Sequence, residues 1–256
     1  MTSPNHPYLG PTFVESYATM QSGKSSWVIE GLIPSGGLAL LYGAPKTGKS
    51  MLALQLALAI TQGHKDFLTF PVVAPGKVIY LQLDTPRSLW QDRIKNWEDA
   101  GVDFTPWGTL AIEDKESAPF PFNLLDANHT AWLRAAVEDV NPSLVILDTW
   151  RESFRGDEND SSHAQIALAS LVGAITPAAG LIISHGKKPP EDPNHDRGLM
   201  DEIRGSSYLP GAVDTIMRLR CKENATVGRF AAQGRALPYT TVPIARGKVG
   251  IWSVAT

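Results

Sequence analysis

The sequence has a single cysteine, Cys221, among 256 residues. An internal disulfide is therefore excluded, a zinc site has no ligand cluster to draw on, and the chain suits a reducing cytosol. Neither sign of charge dominates. A formal net charge of −3 offers no large basic surface, so any nucleic-acid contact must be local. Hydrophobic runs of membrane-spanning length are missing too, because Gln55, Gly173 and Pro177 interrupt the longest apolar stretches. The start of the chain, with Pro4, His6 and Pro7, lacks the basic-then-apolar pattern of a secretion signal. No internal repeat or low-complexity segment stands out. These absences predict a cytoplasmic protein with no membrane partner, long enough for one sizeable core.

What is present is organised around Gly43-Ala44-Pro45-Lys46-Thr47-Gly48-Lys49-Ser50. This has the form G-x-x-x-x-G-K-[ST], the phosphate-binding loop. Leu38 to Tyr42 before it is an apolar run suited to a strand buried on both faces. Met51 to Ile60 after it is rich in Leu and Ala and lacks Gly and Pro, which suits a helix. Glycines let the backbone curl around a phosphate, and the positive end of the helix adds to the pull on an anion. Lys49 is expected to reach the β- and γ-phosphates of ATP, and Ser50 to ligate Mg²⁺. Gly43 to Met51 is thus the expected nucleotide-binding segment.

Further along, Lys77–Leu83 reads as a strand ending in Asp84, with Thr85 as cap and Pro86 in the first turn of a helix to about Ala100. Thr109–Ile112 reads as a strand and 113–127 as loop. Asn128 is expected to cap a helix running to Asp139. Leu144–Asp148 reads as a buried strand, 162–175 as a helix, Leu181–His185 as a buried strand and 186–203 as loop. Val213–Arg220 reads as a strand, and the residues beyond Arg220 read as short strands with Gly and Pro turns. Strands alternating with helices imply an α/β fold: a mostly parallel sheet with helices on both faces and a short C-terminal antiparallel meander. The expected organisation is an arm over 1–25, a core over 26–220, and a β extension of the same domain over 221–256.

In such sheets ligands sit at the carboxyl ends of the strands, where Asp84, Asp148 and His185 all fall. Asp148 is suited to holding the Mg²⁺ shell, or else to capping a turn. Asp84 is suited to polarising the attacking water, or to capping the helix entry. His185 can read the γ-phosphate or simply satisfy a turn. Arg204 is either an arginine finger reaching a neighbour's nucleotide or a surface ion pair. The polar run Asp157 to Asp160 is too short for a calcium loop.

The stretches Trp27 to Gly37, Tyr80 to Pro86, Leu147 to Arg151, Ile183 to His185 and Arg204 to Ser206, in this order around the phosphate loop, resemble the RecA-like ATPases. Within them they resemble the branch of the hexameric plasmid helicase RepA and related phage and plasmid proteins. The resemblance spans Trp27 to Arg220. It implies that a carboxylate at Asp84 activates water, that Arg93 stacks on adenine, and that Arg204 is the finger acting in trans. It also implies a hexameric ring whose DNA-contacting loop is 186–203, carrying Lys187, Lys188 and Arg197. The family's Glu-Asp pair is here Asp84-Thr85, one methylene shorter, and the second His of its His-His pair is here Gly186. No primase domain or separate DNA-reading module is visible. The resulting expectation is an oligomeric, ssDNA-stimulated replicative helicase or translocase. A non-translocating ATP switch, such as a recombinase-like protein or loader, and a nucleotide-binding protein with weak turnover remain open beside it.

Overall fold

The structure, a computed structural model, describes residues 26–104, 110–114, 116, 118, 121–157, 159–187, 198–222, 225–247 and 249–255. The predicted arm lies outside them. A small hairpin, β1 (Trp27–Ile29) and β2 (Ile33–Pro34), leads into β3 (Leu38–Gly43), which is buried along its whole length. Helix α1 (Lys49–Thr61) follows the phosphate loop. A second small hairpin, β4 (Asp66–Phe67) and β5 (Phe70–Pro71), precedes β6 (Val78–Gln82) and α2 (Arg87–Asp99). Next come β7 (Leu110–Asp114), α3 (Ala127–Val140), β8 (Leu144–Asp148), α4 (Ser161–Ile175) and β9 (Ala179–His185). The short α5 (Tyr208–Ala212) leads to β10 (Thr215–Cys221), β11 (Val227–Gly234), β12 (Leu237–Arg246) and β13 (Trp252–Val254).

One nine-stranded sheet runs in the order β13-β12-β11-β10-β3-β9-β8-β6-β7. From β10 to β7 every neighbouring pair is parallel, and from β10 to β13 every pair is antiparallel. The meander thus continues the central sheet. Alternation along the strands divides the core into two layers. Leu144 and Ile146 of β8 face α1 and α2, where Leu52, Trp90 and Trp97 pack, while Val145 and Leu147 face α3 and α4 with Leu133 and Leu168. Burial on both faces explains why these strands read as continuous apolar runs.

Helix α1 is buried nearly all round, covered by the sheet and by the meander. Gln55 satisfies its polar end there: its Nε2 donates to the Trp252 carbonyl at 2.6 Å, and the Trp252 N–H donates to its Oε1 at 2.9 Å. A side-chain amide has the same donor and acceptor set as a peptide group, so it pairs with a strand edge.

Two helix entries differ from expectation. The cap of α3 is Asp126, whose carboxylate accepts the Asn128 N–H at 2.8 Å. The stronger anionic acceptor two residues earlier takes the role and leaves Asn128 inside the helix. At α2, Thr85 does not cap. Its N–H donates to Gln82 Oε1 at 3.2 Å, and the chain enters the helix through Pro86 with no side-chain cap. Strand β7 also reaches Asp114, where loop was expected, because Asp114 takes a bidentate contact from Arg87 at 2.6 and 2.7 Å.

Candidate functional site

The phosphate loop turns back on itself through two left-handed residues, Lys46 (φ 63°) and Gly48 (φ 93°). The Thr47 hydroxyl bonds the Ala44 carbonyl at 2.8 Å. Gly43 is required for contact: a Cβ there would lie 2.3 Å from the Leu219 carbonyl oxygen of β10. Lys49 folds over the loop, its Nζ donating to the Gly43 and Ala44 carbonyls, both at 3.0 Å. Burial pulls its pKa down to about 8, while Asp148 and Asp84 hold it up. A polyphosphate arriving there would meet a lysine poised to gain full charge.

Asp148 ends β8 and is fully buried. Burial pushes its carboxyl upward, against the pull of the neighbouring Ser50 and Tyr80 hydroxyls, with the Asp84 charge adding to the rise. Tyr80 Oη donates to Asp148 Oδ2 at 2.8 Å and lies 3.2 Å from the Ser50 carbonyl. Burial and the Asp148 charge hold the Tyr80 phenol well above its ordinary range. Asp148 Oδ1 has no hydrogen-bond partner among the described residues. A buried anionic oxygen left open beside a serine hydroxyl is what a hard cation needs, so the residues fit Mg²⁺. Among the described residues no group of three or more His, Cys, Asp or Glu could hold a metal. The ion would therefore share its shell with nucleotide phosphates and water, as Mg²⁺ commonly does.

Asp84 follows β6, which pairs with β8 in the register Gln82↔Asp148. It is exposed, yet its charge acts on both Lys49 and Asp148. Beneath it, Gln82 is fully buried, and its Nε2 has no hydrogen-bond partner among the described residues. His185 ends β9 opposite Gly43. The next residue donates its N–H to the Gly43 carbonyl at 3.0 Å. The fit is close: a Cβ on Gly186 would lie 3.3 Å from the Tyr42 ring and 3.4 Å from the Gly43 carbonyl carbon. Ser50, Lys49, Asp84, Asp148 and His185 are thus gathered at one edge of the sheet, around the phosphate loop.

Arg204 stands exposed beside this edge, its N–H donating to the His185 carbonyl at 3.1 Å. An antiparallel bridge, Gly186↔Ile203, zips the two limbs of the intervening loop together. Glu202 fastens that stem to the sheet. It is buried and accepts from Arg218 at 3.1 Å and from Arg220 at 2.5 Å. Lys187 is exposed and folds back, its Nζ donating to the Asp201 carbonyl at 3.0 Å. Lys188 and Arg197 lie outside the described residues.

Arg93 is half-buried on α2, 5.8 Å from the Trp90 ring centre. With Met51, Asn96 and Val249 it lines a cleft beside α1. A guanidinium over an aromatic face on one side can still stack a planar base on the other. The polar run before α4 serves the helix entry: Asp160 caps it through the Ser162 and His163 N–H groups, and Asp157 bonds Asn159. Tyr80 and Glu202 escaped the sequence reading. A hydroxyl in the middle of a buried strand was the available signal for Tyr80, since a buried phenol needs a partner. Glu202, in a stretch read as loop, carried none.

A profile of the AAA domain family matches residues 9–191. No curated protein matches the sequence. Among solved structures, one ATPase domain is matched over 98% of this chain and 100% of its own length, with a TM-score of 0.65 and 16% identity. A DnaB-like replicative helicase, described with its interactions with primase, is matched over 97% of this chain and 68% of its own, with a TM-score of 0.66 and 17% identity. A KaiC-like protein from the hyperthermophilic archaeon Pyrococcus horikoshii OT3 is matched over 91% and 99%, with a TM-score of 0.57 and 15% identity. At such identities the likeness speaks to the fold, which is RecA-like.

Proposed function

Because the chain belongs to the AAA domain family, and is a P-loop ATPase of RecA-like fold, we propose that it works as an oligomeric, ssDNA-stimulated helicase or translocase of the RepA type. The observation that carries this reading is the joined pair at the edge of the site. His185, in register with the first glycine of the phosphate loop, holds the N–H of Arg204, and the loop between them leaves from that junction. A change at the γ-phosphate felt by His185 would move the root of the loop and Arg204 together.

In this reading Gly43 to Met51 binds ATP, with Lys49 on the β- and γ-phosphates and Arg93 against the base. Ser50 and Asp148 hold Mg²⁺, which when bound would neutralise charge on the phosphates. Asp84 accepts a proton from the attacking water. Arg204 is offered to the nucleotide of the next subunit in a hexameric ring, and Lys187, Lys188 and Arg197 face single-stranded DNA. The test is the ATPase rate with and without single-stranded DNA, alongside the mass of the protein with and without ATP. A ring that forms with ATP and hydrolyses faster on DNA is expected. A monomer indifferent to DNA would overturn the motor.

One observation favours a second reading, an ATP switch with slow turnover. Asp84 is exposed, and its carboxylate is one methylene shorter than the glutamate of the resembling family. ATP-dependent assembly with hydrolysis that DNA leaves unchanged would support the switch.

A further inference from the structure

We propose that Tyr80 is a positioning residue for Mg²⁺: its hydroxyl occupies one oxygen of Asp148 and thereby presents the other to the metal. The proposal rests on the magnesium–ATP reading above and adds to it a residue outside the phosphate loop.

Tyr80 lies mid-strand in β6, and the pairing with β8 places it opposite Ile146, two residues before Asp148. Both side chains therefore project from the same face of the sheet, the one covered by α1. The phenol has one proton and two acceptors near it, Asp148 Oδ2 at 2.8 Å and the Ser50 carbonyl at 3.2 Å. The shorter contact, to the anion, takes the proton. Asp148 Oδ1 is left as the carboxylate oxygen with no hydrogen-bond partner among the described residues. The ring cannot swing aside. Tyr80 is fully buried, and the Trp90 ring lies against it with centres 5.5 Å apart. Tyr80 thus touches the carboxylate and the backbone of Ser50, the two residues assigned to the ion, and fixes their relative placement. Without that anchor the carboxylate plane could turn about its Cβ–Cγ bond and aim neither oxygen steadily at the ion.

The test is Tyr80→Phe, which keeps the ring and deletes the hydroxyl. Binding of a fluorescent ATP derivative is measured without metal and across an Mg²⁺ titration, with hydrolysis followed in parallel. The expected result is metal-free binding unchanged within about twofold and an Mg²⁺ midpoint raised about tenfold, the low end of what losing the partner behind a metal ligand costs. Saturating Mg²⁺ is expected to restore much of the hydrolysis rate. Val78→Ala, a cavity in the same strand, is the control for packing, and its Mg²⁺ midpoint is expected to stay at the parent value. A Tyr80→Phe midpoint equal to the parent's overturns the proposal alone, as does an equal shift in Val78→Ala. A parent whose nucleotide binding ignores Mg²⁺ overturns the proposal together with the reading beneath it.

Discussion

Lys49 is the residue whose environment makes the sharpest prediction. Its folded pKa of about 8 lies below its ordinary 10.5. Between these values the unfolded chain binds the extra proton, so this group makes the nucleotide-free protein more stable as pH rises through that window. Nucleotide binding runs the other way, because phosphates restore the charge and a proton is taken up. ATP affinity is therefore expected to fall above about pH 8, approaching tenfold per pH unit. Calorimetry in buffers of different ionisation heat should register the proton. Lys49→Ala should lose both the bend and all hydrolysis while keeping its circular dichroism spectrum. At Asp84 the prediction is a split between binding and turnover. Asp84→Asn should bind ATP within a few-fold of the parent and lose about 10²-fold or more in rate, the usual range for a missing general base. A parent-like rate with lower stability would return Asp84 to a capping role.

At the scale of elements, the contact between β3 and β10 is a tight backbone constraint. Gly43→Ala would drive a methyl group into the Leu219 carbonyl. An overpacked strand pair of this kind should lose about 1–3 kcal/mol, seen as a lower denaturant midpoint. The stem of loop 186–203 depends instead on charge. Glu202→Ala leaves buried Arg218 without that partner, and breaking such a pair costs about 3–5 kcal/mol. A thermal melt should show it as a drop of about 6 °C or more. Strands β3, β6, β8 and β9 were legible in the sequence because burial on both faces writes them as mainly apolar runs. Asp148 and His185 were legible because they end such runs. The caps were misread by a residue or two because neighbouring polar groups compete for the same N–H donors, as Asp126 does with Asn128. The hairpins β1–β2 and β4–β5 are too short to show a period. Tyr80 and Glu202 owe their roles to pairing between distant segments, which no local pattern encodes: Tyr80 meets a carboxylate 68 positions away.

For the whole molecule, the question is whether one chain suffices. If Arg204 completes a neighbour's site, activity per chain should rise with protein concentration. Arg204→Ala should bind ATP but turn over about 10³-fold more slowly, at the lower end for an arginine finger. Mixing it with inactive Lys49→Ala should restore part of the rate, because one interface then pairs an intact loop with an intact finger. A dead mixture that demonstrably co-assembles would sink the shared site. The position of β3 has one more consequence, and it concerns the order of synthesis. The strand that carries the phosphate loop lies between β9 and β10, and the helix after it is closed by Trp252, 197 positions beyond Gln55. A ribosome translating this chain makes the nucleotide-binding motif early and its supports late. A nascent chain halted at residue 175 would hold every residue of the motif and neither strand that flanks it, so it should not retain ATP. The ability to bind ATP thus becomes a mark that translation has reached the meander, and a shortened product would stay out of any ATP-dependent assembly.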